Sequence, residues 1–382
     1  MGFITAIGPL AIDMYLPAFP AMAAELNTTT GYIERTLAGY LLGLAIAQLF
    51  YGPIADRYGR RTTLTLGLTI FIAASFGCAQ STSAPELTMW RIAQAFGGAA
   101  CMVVPRAVIR DRFDTRDASR ALSVLMLIMG ATPILAPLIG AQVMKIAGWQ
   151  WNFYVMCLVG GILLAFTLTT MQESLNKDHI TPLRPGIIAK NYKQLASHKR
   201  FVFYTLSGGF GSAGMFSYIA GSPRVFIDVY GIDPDYFGLL FGANAAALII
   251  MSQVSARLLN RFDPEQLLKG SQRTLVIATI IALMLTLANS LSLLLLMLCL
   301  LTFMGSQGFV NPNAAALALR EQGHRLGAAS ALMGTLHMLC GAAAGMAISW
   351  WQTESALPLT TLLTICAVCS WLSGHIALKQ KP

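Results

Sequence analysis

Apolar residues along this chain fall into twelve stretches of about twenty residues each, and short charged turns separate them. A helix needs roughly 20 apolar residues to cross a bilayer core of about 30 Å, because lipid offers no partner to an unpaired backbone group. The pattern therefore predicts an all-α polytopic membrane protein with twelve transmembrane helices. We place them at 2–23, 35–56, 62–80, 86–110, 118–144, 149–172, 200–222, 235–258, 269–288, 291–316, 325–350 and 355–378.

The longest polar segment divides these helices into two sets of six. It runs from Gln172 to Arg200 and carries Pro182, Pro185 and many charges. Paired six-helix bundles joined by such a linker are typical of transporters that rock around a midplane substrate site. We therefore predict two bundles and a cytoplasmic linker, at 1–172, 200–382 and 173–199.

Lys and Arg residues are distributed unevenly between the two sides of the predicted membrane region. Only 11% of the residues are charged, against about 25% in soluble proteins, and the net charge is +9. If both termini are cytoplasmic, 22 of the 26 basic residues fall in inner segments, as the positive-inside rule requires. We expect this charge to contact anionic lipids rather than nucleic acid. The first stretch lacks a basic leader region, so we expect an uncleaved anchor.

The sequence shows no constellation that indicates an enzyme. No GxxxxGK[ST] phosphate loop is present, so we expect no nucleotide or other cofactor. The five histidines are scattered, whereas an intramembrane enzyme would need a convergent nucleophile or metal set. The seven cysteines lie in apolar stretches and are expected to be inert. We predict that the protein is not an enzyme and holds no metal.

The turn after the second helix reads Gly52-Pro-Ile-Ala-Asp56-Arg57-Tyr-Gly59-Arg60-Arg61. Gly59 permits the positive φ of a tight turn, and Asp56 can pair with Arg60 one helical turn later. An ordinary positive-inside turn would explain the arginines but not the glycine and aspartate spacing. The stretch resembles the G-x-x-x-D-R-x-G-R-[KR] signature of the major facilitator superfamily. The resemblance implies a group that controls switching between transport states: Gly52, Asp56, Arg57, Gly59, Arg60, Arg61 and, at the end of the fourth helix, Arg110.

The fourth helix carries Arg91-Ile-Ala-Gln94-Ala95-Phe-Gly97, which is similar to the R-x-x-Q-G-x-G pattern of that superfamily, with Ala95 replacing a glycine. A buried arginine costs about 3 kcal/mol on insertion scales, so it needs a partner or a water-filled cavity. We interpret Arg91 as a cation that modulates a neighbouring proton-binding carboxylate. The alternative is that Arg91 snorkels to the outer surface.

The fifth helix carries glycines and prolines in an order similar to the helix 5 motif of superfamily antiporters. They are Gly130, Pro133, Pro137 and Gly140. Small residues let another helix approach closely, and prolines fix a kink. The resemblance implies that the fifth helix seals one face of the cavity during exchange. The alternative is that it is an ordinary kinked helix with a packing role only.

Asp13 is the only one of the 17 acidic residues that we place deep inside a membrane span. The string Asp13-Met-Tyr15-Leu-Pro17-Ala resembles the first helix of the bicyclomycin-resistance subfamily of drug:proton antiporters. Agreement continues in Tyr51-Gly-Pro-Ile-Ala-Asp56, Ala136-Pro-Leu-Ile-Gly140 and Ala213-Gly-Met-Phe-Ser217. The resemblance implies that Asp13 and Arg91 couple transport to protons. The alternative is a structural Asp13 at a helix break near Pro9 and Pro17.

The resemblance implies a proton-coupled multidrug efflux antiporter in the bacterial inner membrane. Its substrates would be small antibiotics of the bicyclomycin, chloramphenicol or sulfonamide types, and its partners protons and lipids. We expect it to work as a monomer. The alternative is a proton-coupled uptake symporter for a small nutrient, which the helix 5 pattern disfavours. For the following polar side chains, substrate contact and helix-to-helix hydrogen bonding both remain open: Tyr15, Tyr40, Gln48, Gln94, Asn244, Gln307 and Asn311.

Overall fold

The computed structural model describes residues 1–113, 115–175, 185–322, 326–351 and 353–380. These residues form helices and no strands, which confirms the all-α prediction. The α-helices are α1 (Gly2–Asp13), α2 (Phe19–Glu25), α3 (Thr30–Tyr58), α4 (Arg60–Gln80), α5 (Ala84–Arg112), α6 (Thr115–Ala147), α7 (Gln150–Thr170), α8 (Pro185–Ser197), α9 (Lys199–Pro223), α10 (Pro234–Leu258), α11 (Pro264–Leu287), α12 (Leu293–Leu319), α13 (Leu326–Trp350) and α14 (Leu357–Lys379). Short 3-10 and π helices occupy Leu16–Ala18 and Arg224–Val229.

Eleven helical segments within the described ranges are long and apolar enough to cross a membrane. The remaining predicted span corresponds to α9, whose many glycines and serines make it more polar than the others. Most of α9 is buried, because α12, α13 and α14 pack against it. Its small residues therefore contact neighbouring helices rather than lipid, as is common where membrane helices pack closely.

The chain forms two compact units, Met1–Arg184 and Pro185–Pro382. The segment predicted as a linker contains α8, which belongs to the second unit and packs against α9 and α13. Leu195 is buried there with Phe201 and Tyr204, and Tyr192, three residues before it, packs on the same cluster. This apolar stripe, on one side of a mostly polar segment, stabilises a helix where we expected a polar connection.

The first predicted helix is interrupted, which corrects the expectation of one continuous span at 2–23. The helix α1 ends at Asp13, a 3-10 turn follows, and α2 begins at Phe19. Pro17 and Pro20 lie at the starts of the two later elements, and neither has a backbone N–H with which to continue the preceding helix. Carbonyl groups at the end of α1 are therefore left for other partners.

Glycines set the spacing of α3, α4 and α5 in the first unit. A Cβ atom built on Gly97 would overlap the backbone of Gly67 and Phe71, so α4 and α5 cross in direct backbone contact. On the opposite side of α5, Gly43 of α3 lies against Ala95. The alanine that replaces the family's glycine thus faces a glycine of the partner helix. Close packing on both sides fixes the position of Arg91, one turn before Ala95.

Candidate functional site

Arg91 lies near the beginning of α5, and its side chain has no solvent-accessible surface. The snorkelling interpretation is therefore wrong. Its Nη2 donates a hydrogen bond to the backbone carbonyl of Ala11 at 2.8 Å, and its Nη1 donates to Oε1 of Gln94. The guanidinium thus joins the end of α1 to α5 in the interior of the first unit.

The end of α1 provides this cation with negative charge. Because α1 ends at Asp13, the carbonyl of Ala11 lies in the last turn, where carbonyls lack an intrahelical donor. The C-terminal end of a helix also carries about half a negative elementary charge, which stabilises a nearby cation. Among the described side chains, Arg91 forms no ion pair with a carboxylate. Its counter-charge is therefore mainly the helix end.

Three aromatic rings enclose the same guanidinium. Its carbon lies 4.3 Å from the ring centres of Tyr15 and Tyr40 and 5.9 Å from that of Phe153. The Tyr15 hydroxyl lies 3.1 Å from Oγ1 of Thr36, which holds this ring in place. A cation over an aromatic face gains electrostatic attraction, and the gain is larger where water is excluded. The rings therefore stabilise Arg91 in a position that carries no carboxylate partner.

Gln94 connects Arg91 to a third helix. While its Oε1 accepts from Arg91, its Nε2 donates to Oγ of Ser75 in α4 at 2.7 Å. The structure therefore brings Tyr15, Tyr40 and Gln94, three of the candidate substrate-binding residues, around Arg91. In this arrangement the rings of both tyrosines and Oε1 of Gln94 contact the arginine.

Asp13 is the last residue of α1, and only 2% of its surface is exposed. Its Oδ1 is buried and has no hydrogen-bond partner among the described residues. The helix breaks directly after Asp13, so the structural and the proton-coupling interpretations of this residue both stay predictions. Asp13 and Arg91 are linked through the last turn of α1 rather than by a direct ion pair. The structure thus brings together the buried carboxyl group of Asp13 and the Arg91 cation, which binds the backbone carbonyl of Ala11, two residues before Asp13.

Gly140 of α6 lies against the break that follows Asp13. A Cβ atom built on Gly140 would overlap the carbonyl oxygen of Met14, so the backbones of α6 and the broken first span are in direct contact. Pro133 and Pro137 lie inside α6, and Gly130 precedes them on its half-buried part. The helix 5 motif and the candidate proton site therefore meet at one backbone contact.

Gly140→Ala is expected to displace this contact and to lower the free energy of unfolding of the protein by about 2 kcal/mol, the usual cost of overpacking. The measurement is thermal unfolding of the purified protein in detergent. Gly161→Ala is the matched control, because a Cβ atom on that helical glycine of α7 meets nothing within 4 Å. The control should be neutral or slightly stabilising, since alanine favours helices. Equal behaviour of the two variants would contradict the contact.

The arginine turn, residues 52–61, is held by ion pairs at the end of α3. Arg60 Nη1 lies 2.5 Å from Oδ1 of Asp56, as its spacing of four residues predicted, and its Nε lies 2.9 Å from Oδ2 of Asp111 in α5. Arg60 is almost fully buried, at 4% exposure. One guanidinium thus connects the end of α3 to the end of α5.

Glu173, just after α7, caps the beginning of α4 at this turn. Its two carboxylate oxygens accept from the backbone N–H groups of Arg60 at 2.8 Å and Arg61 at 3.1 Å. Gly59 has a φ of 96°, and a Cβ atom there would overlap the Glu173 carboxylate. Glycine is needed both for the left-handed backbone and for the space. A carboxylate at this position also interacts favourably with the positive end of α4.

The other members of the predicted switching group are less constrained. Arg61 donates to the carbonyl of Leu168 at 2.5 Å, whereas Arg57 is exposed. Gly52 is half-buried, and a Cβ atom there would meet nothing within 4 Å. The side chain of Arg110 lies outside the described part of the structure.

Glu173→Gln is expected to lower the free energy of unfolding by about 1 kcal/mol at neutral pH, because an amide is a weaker helix cap than a carboxylate. Partial burial acts to raise the pKa of Glu173, but the four backbone N–H groups that donate to it outweigh this effect, and the pKa lies below its usual value. A lowered pKa in the folded state means that the stabilisation is present at neutral pH and is lost as the pH falls through that pKa.

The difference between wild type and Glu173→Gln should therefore shrink in acid. Thermal unfolding in detergent at neutral and acidic pH measures it. The control is Glu354→Gln, at an exposed carboxylate outside the turn, which should leave stability unchanged. A constant difference across pH would show that the Glu173 carboxylate charge is not what caps α4.

The remaining candidate substrate-binding residues are dispersed. Gln48 is half-buried in α3, two turns beyond Tyr40. In the second unit, Asn244 donates to the carbonyl of Leu240 at 3.0 Å, while Gln307 is buried with neither side-chain polar atom bonded within the described residues. Asn311, one turn after Gln307, is half-buried and its Oδ1 has no partner in the described ranges.

Sequence reasoning missed several residues of both sites. Asp111 and Glu173 were placed at a helix end and in a linker, and Phe153 was one of many apolar positions. Glu34, near the beginning of α3, is a second buried acid that the sequence did not indicate. It is fully buried, because α3 begins at Thr30 rather than at residue 35. One signal was available: α4 begins without a Ser, Thr, Asp or Asn before it, so its first N–H groups needed a distant cap.

Comparison with known sequences assigns the family. A profile of the Major Facilitator Superfamily matches residues 1–345. The chain belongs to the major facilitator superfamily. Members similar to it include an uncharacterized transporter, YdgK, of Bacillus subtilis, 33% identical over all of this chain and 95% of that protein. A bicyclomycin resistance protein homolog of Haemophilus influenzae is 29% identical, covering 98% and 94% of the two chains. The multidrug resistance protein MdtL of Klebsiella pneumoniae is 30% identical over 98% and 93%.

Solved structures of major facilitators share the fold. The xylose transporter XylE of E. coli, in a partially occluded inward-open conformation, aligns with a TM-score of 0.74 at 13% identity, covering 100% of this chain and 97% of that one. A bacterial homolog of the human lysosomal transporter Spinster gives 0.73 at 14% identity, over 100% and 97% of the two chains. Identities this low show the fold alone. The resemblance first drawn from the motifs is confirmed at the level of the family.

Proposed function

We propose that this protein is a proton-coupled multidrug efflux antiporter of the bacterial inner membrane. Relatives that span nearly the whole chain are named for bicyclomycin and multidrug resistance, which supports drug export over nutrient uptake. We further propose that both termini are cytoplasmic, that the protein acts as a monomer, and that its substrates are small antibiotics of the bicyclomycin, chloramphenicol or sulfonamide types. The proton gradient drives transport, and no cofactor takes part.

The single observation that carries this proposal is the buried carboxyl group of Asp13 at the end of α1. An ionised Asp13 adds a full negative charge to the helix end that binds Arg91, so the attraction between α1 and α5 is strongest in this state. Protonation removes that charge and weakens the attraction. A proton taken up from outside thereby favours movement of the first span relative to α5.

Gly140 brings α6 into contact with the end of the first span, so a movement of that span would also affect α6. The carbonyl of Met14 directly follows Asp13 and contacts the α6 backbone at Gly140. A change in the attraction between Arg91 and the end of α1 would therefore also change the contact between the first span and α6. Proton uptake and the sealing of the cavity are proposed to be coupled at this contact.

The arginine turn is proposed to regulate the switching between transport states. The beginning of α4 is held there by three acidic side chains, which come from α3, α5 and the segment after α7: Asp56, Asp111 and Glu173. Movement of any of these elements would have to break or rearrange a charge-assisted hydrogen bond. The turn therefore acts on the equilibrium between states rather than on drug contact.

Drug binding is proposed to involve the polar side chains that retain unused hydrogen-bonding capacity. Gln307 has two such atoms and Asn244 and Asn311 have one each within the described residues. Tyr15, Tyr40 and Gln94 already contact Arg91, so a drug would have to compete with the arginine for them, although the Tyr40 hydroxyl also has no partner among the described residues. Gln48 remains a candidate for drug binding because it is half-buried in α3, two turns beyond Tyr40.

Expression in a bacterial strain that lacks its main efflux pumps tests the function. Growth is scored against a panel of bicyclomycin-type, chloramphenicol-type and sulfonamide drugs, and drug accumulation is measured with and without a protonophore. Resistance that disappears with the protonophore supports the proposal. Resistance to no drug, together with improved growth on a scarce nutrient, would instead support proton-coupled uptake.

A further inference from the structure

A long groove lies on the surface of the second unit, over α12 and between α10 and α11. Both helices pack on α12, and the space between them has a volume of about 980 Å³. This is at the upper end of the range of small-ligand sites, roughly 300–1,000 Å³. Each helix contributes residues to its walls: Ile250 and Met251, Gly270 and Thr274, Leu298 and Gly305.

The groove offers almost no hydrogen-bonding groups to an occupant. Its hydroxyl groups donate to carbonyls of their own helices: Ser271 to Leu267 at 2.8 Å, Thr274 to Gly270 at 3.2 Å, and Thr302 to Leu298 at 2.8 Å. The rest of the wall is mostly apolar, apart from the Gln266 side chain at one end. A polar drug would lose its hydration without gaining partners. The occupant must therefore have a long apolar part.

The groove is open to the surroundings of the unit. Ile250 and Leu298 are 59% and 53% exposed, although they lie within apolar membrane-spanning helices. A Cβ atom built on Gly270 would meet nothing within 4 Å, so the missing side chain widens the groove at its middle. An apolar face of this kind is covered by lipid in a membrane. The occupant is therefore supplied by the bilayer itself.

One end of the groove lies at the turn from α10 to α11, and basic residues are frequent in the sequence around this turn. Phe262 and Gln266 line this end, at the turn from α10 to α11. Four exposed basic residues belong to the same turn and the adjoining helix ends: Arg257, Arg261, Lys269 and Arg273. Of the two acidic residues in this stretch, Glu265 is paired with Arg200 at 3.2 Å and Asp263 caps α11. The mouth of the groove therefore favours an anionic headgroup.

We propose that this groove retains one anionic phospholipid, with an acyl chain lying over α12 and its phosphate at Lys269 and Arg273. The apolar walls select the chain and the cations select the charge. Basic pockets between transmembrane helices recognise anionic headgroups by the same combination. The site lies wholly within the second unit and does not depend on the transport activity proposed above.

Lipid retention by the purified full-length protein tests the proposal. The protein and its variants are delipidated, reconstituted in nanodiscs of phosphatidylglycerol and phosphatidylcholine, released into mild detergent, and analysed by native mass spectrometry. Gly270→Leu adds a side chain to the groove wall at a position where a Cβ atom meets nothing within 4 Å, and Gly161→Leu, at an equally open glycine of α7, is the matched control. The double variant Lys269→Gln with Arg273→Gln removes headgroup charge but leaves the groove intact.

The wild type and Gly161→Leu should retain one phosphatidylglycerol more than Gly270→Leu. Each lost cation near the headgroup should reduce the preference for phosphatidylglycerol over phosphatidylcholine by roughly fivefold. Equal retention by Gly270→Leu and Gly161→Leu would overturn the site, as would a wild type that shows no preference for the anionic lipid. A drug that displaces the retained phosphatidylglycerol would overturn it as well, since the groove would then be a drug site.

Discussion

Asp13→Asn is expected to abolish drug accumulation driven by a pH gradient while drug binding is retained. The amide has the size of a protonated carboxyl group but cannot release or take up a proton, so the charge at the end of α1 becomes fixed. The attraction between the Arg91 guanidinium and the Ala11 carbonyl would then no longer depend on proton binding. A pH gradient could therefore no longer drive transport. The measurement uses proteoliposomes with an imposed pH gradient, together with drug affinity in detergent.

Glu354→Gln is a suitable comparison for Asp13→Asn, because it also exchanges one carboxylate for an amide, at an exposed position. It should transport at the wild-type rate. Asp13→Asn protein that still concentrates drug against its gradient would refute the proton-carrier role. Loss of drug binding in step with transport would instead assign Asp13 to the drug site.

Arg91→Ala is expected to lower the free energy of unfolding by about 3 kcal/mol or more, and to stop transport. The substitution leaves the Ala11 carbonyl and Gln94 Oε1 buried without a donor, and each unsatisfied group costs about 1–3 kcal/mol. The space between Tyr15 and Tyr40 also becomes a cavity, which adds to the loss. Thermal unfolding in detergent and drug transport in proteoliposomes measure the two effects.

Arg91→Lys separates charge from shape. An ammonium group keeps the positive charge but lacks the planar fork that donates to both Ala11 and Gln94 while lying over the Tyr15 and Tyr40 rings. We expect it to recover part of the stability and little of the transport. Arg320→Ala, at an exposed arginine, should change neither quantity. Wild-type transport by Arg91→Lys would show that charge alone is sufficient.

The sequence was informative wherever lipid or a local turn imposed the constraint. Apolar stretches of span length predicted the ends of the spans to within about five residues, although the first span is broken, since no other regular structure satisfies the backbone in a bilayer. The Asp56–Arg60 pair followed from a spacing of four residues, and Gly59 from the need for a positive φ. These features depend on neighbours in the chain, which a single sequence displays.

Contacts between distant parts of the chain could not be predicted in this way. The partner of Arg91 proved to be a backbone carbonyl, which has no residue type to recognise, and it became available only because α1 ends at Asp13. The sequence shows the prolines near that break, but it does not show which helix packs against the break. Gly140 and Met14 meet through backbone atoms alone, so neither side chain signals the contact.

The Glu173 cap also bears on how the first unit is assembled during synthesis. Glu173 lies 113 residues after Arg60, beyond α7, and is among the last parts of this unit to leave the ribosome. Until then the first backbone N–H groups of α4 lack the carboxylate that caps them, although both helices of that turn are already made. The order of translation therefore delays closure of the arginine turn until the rest of its unit exists.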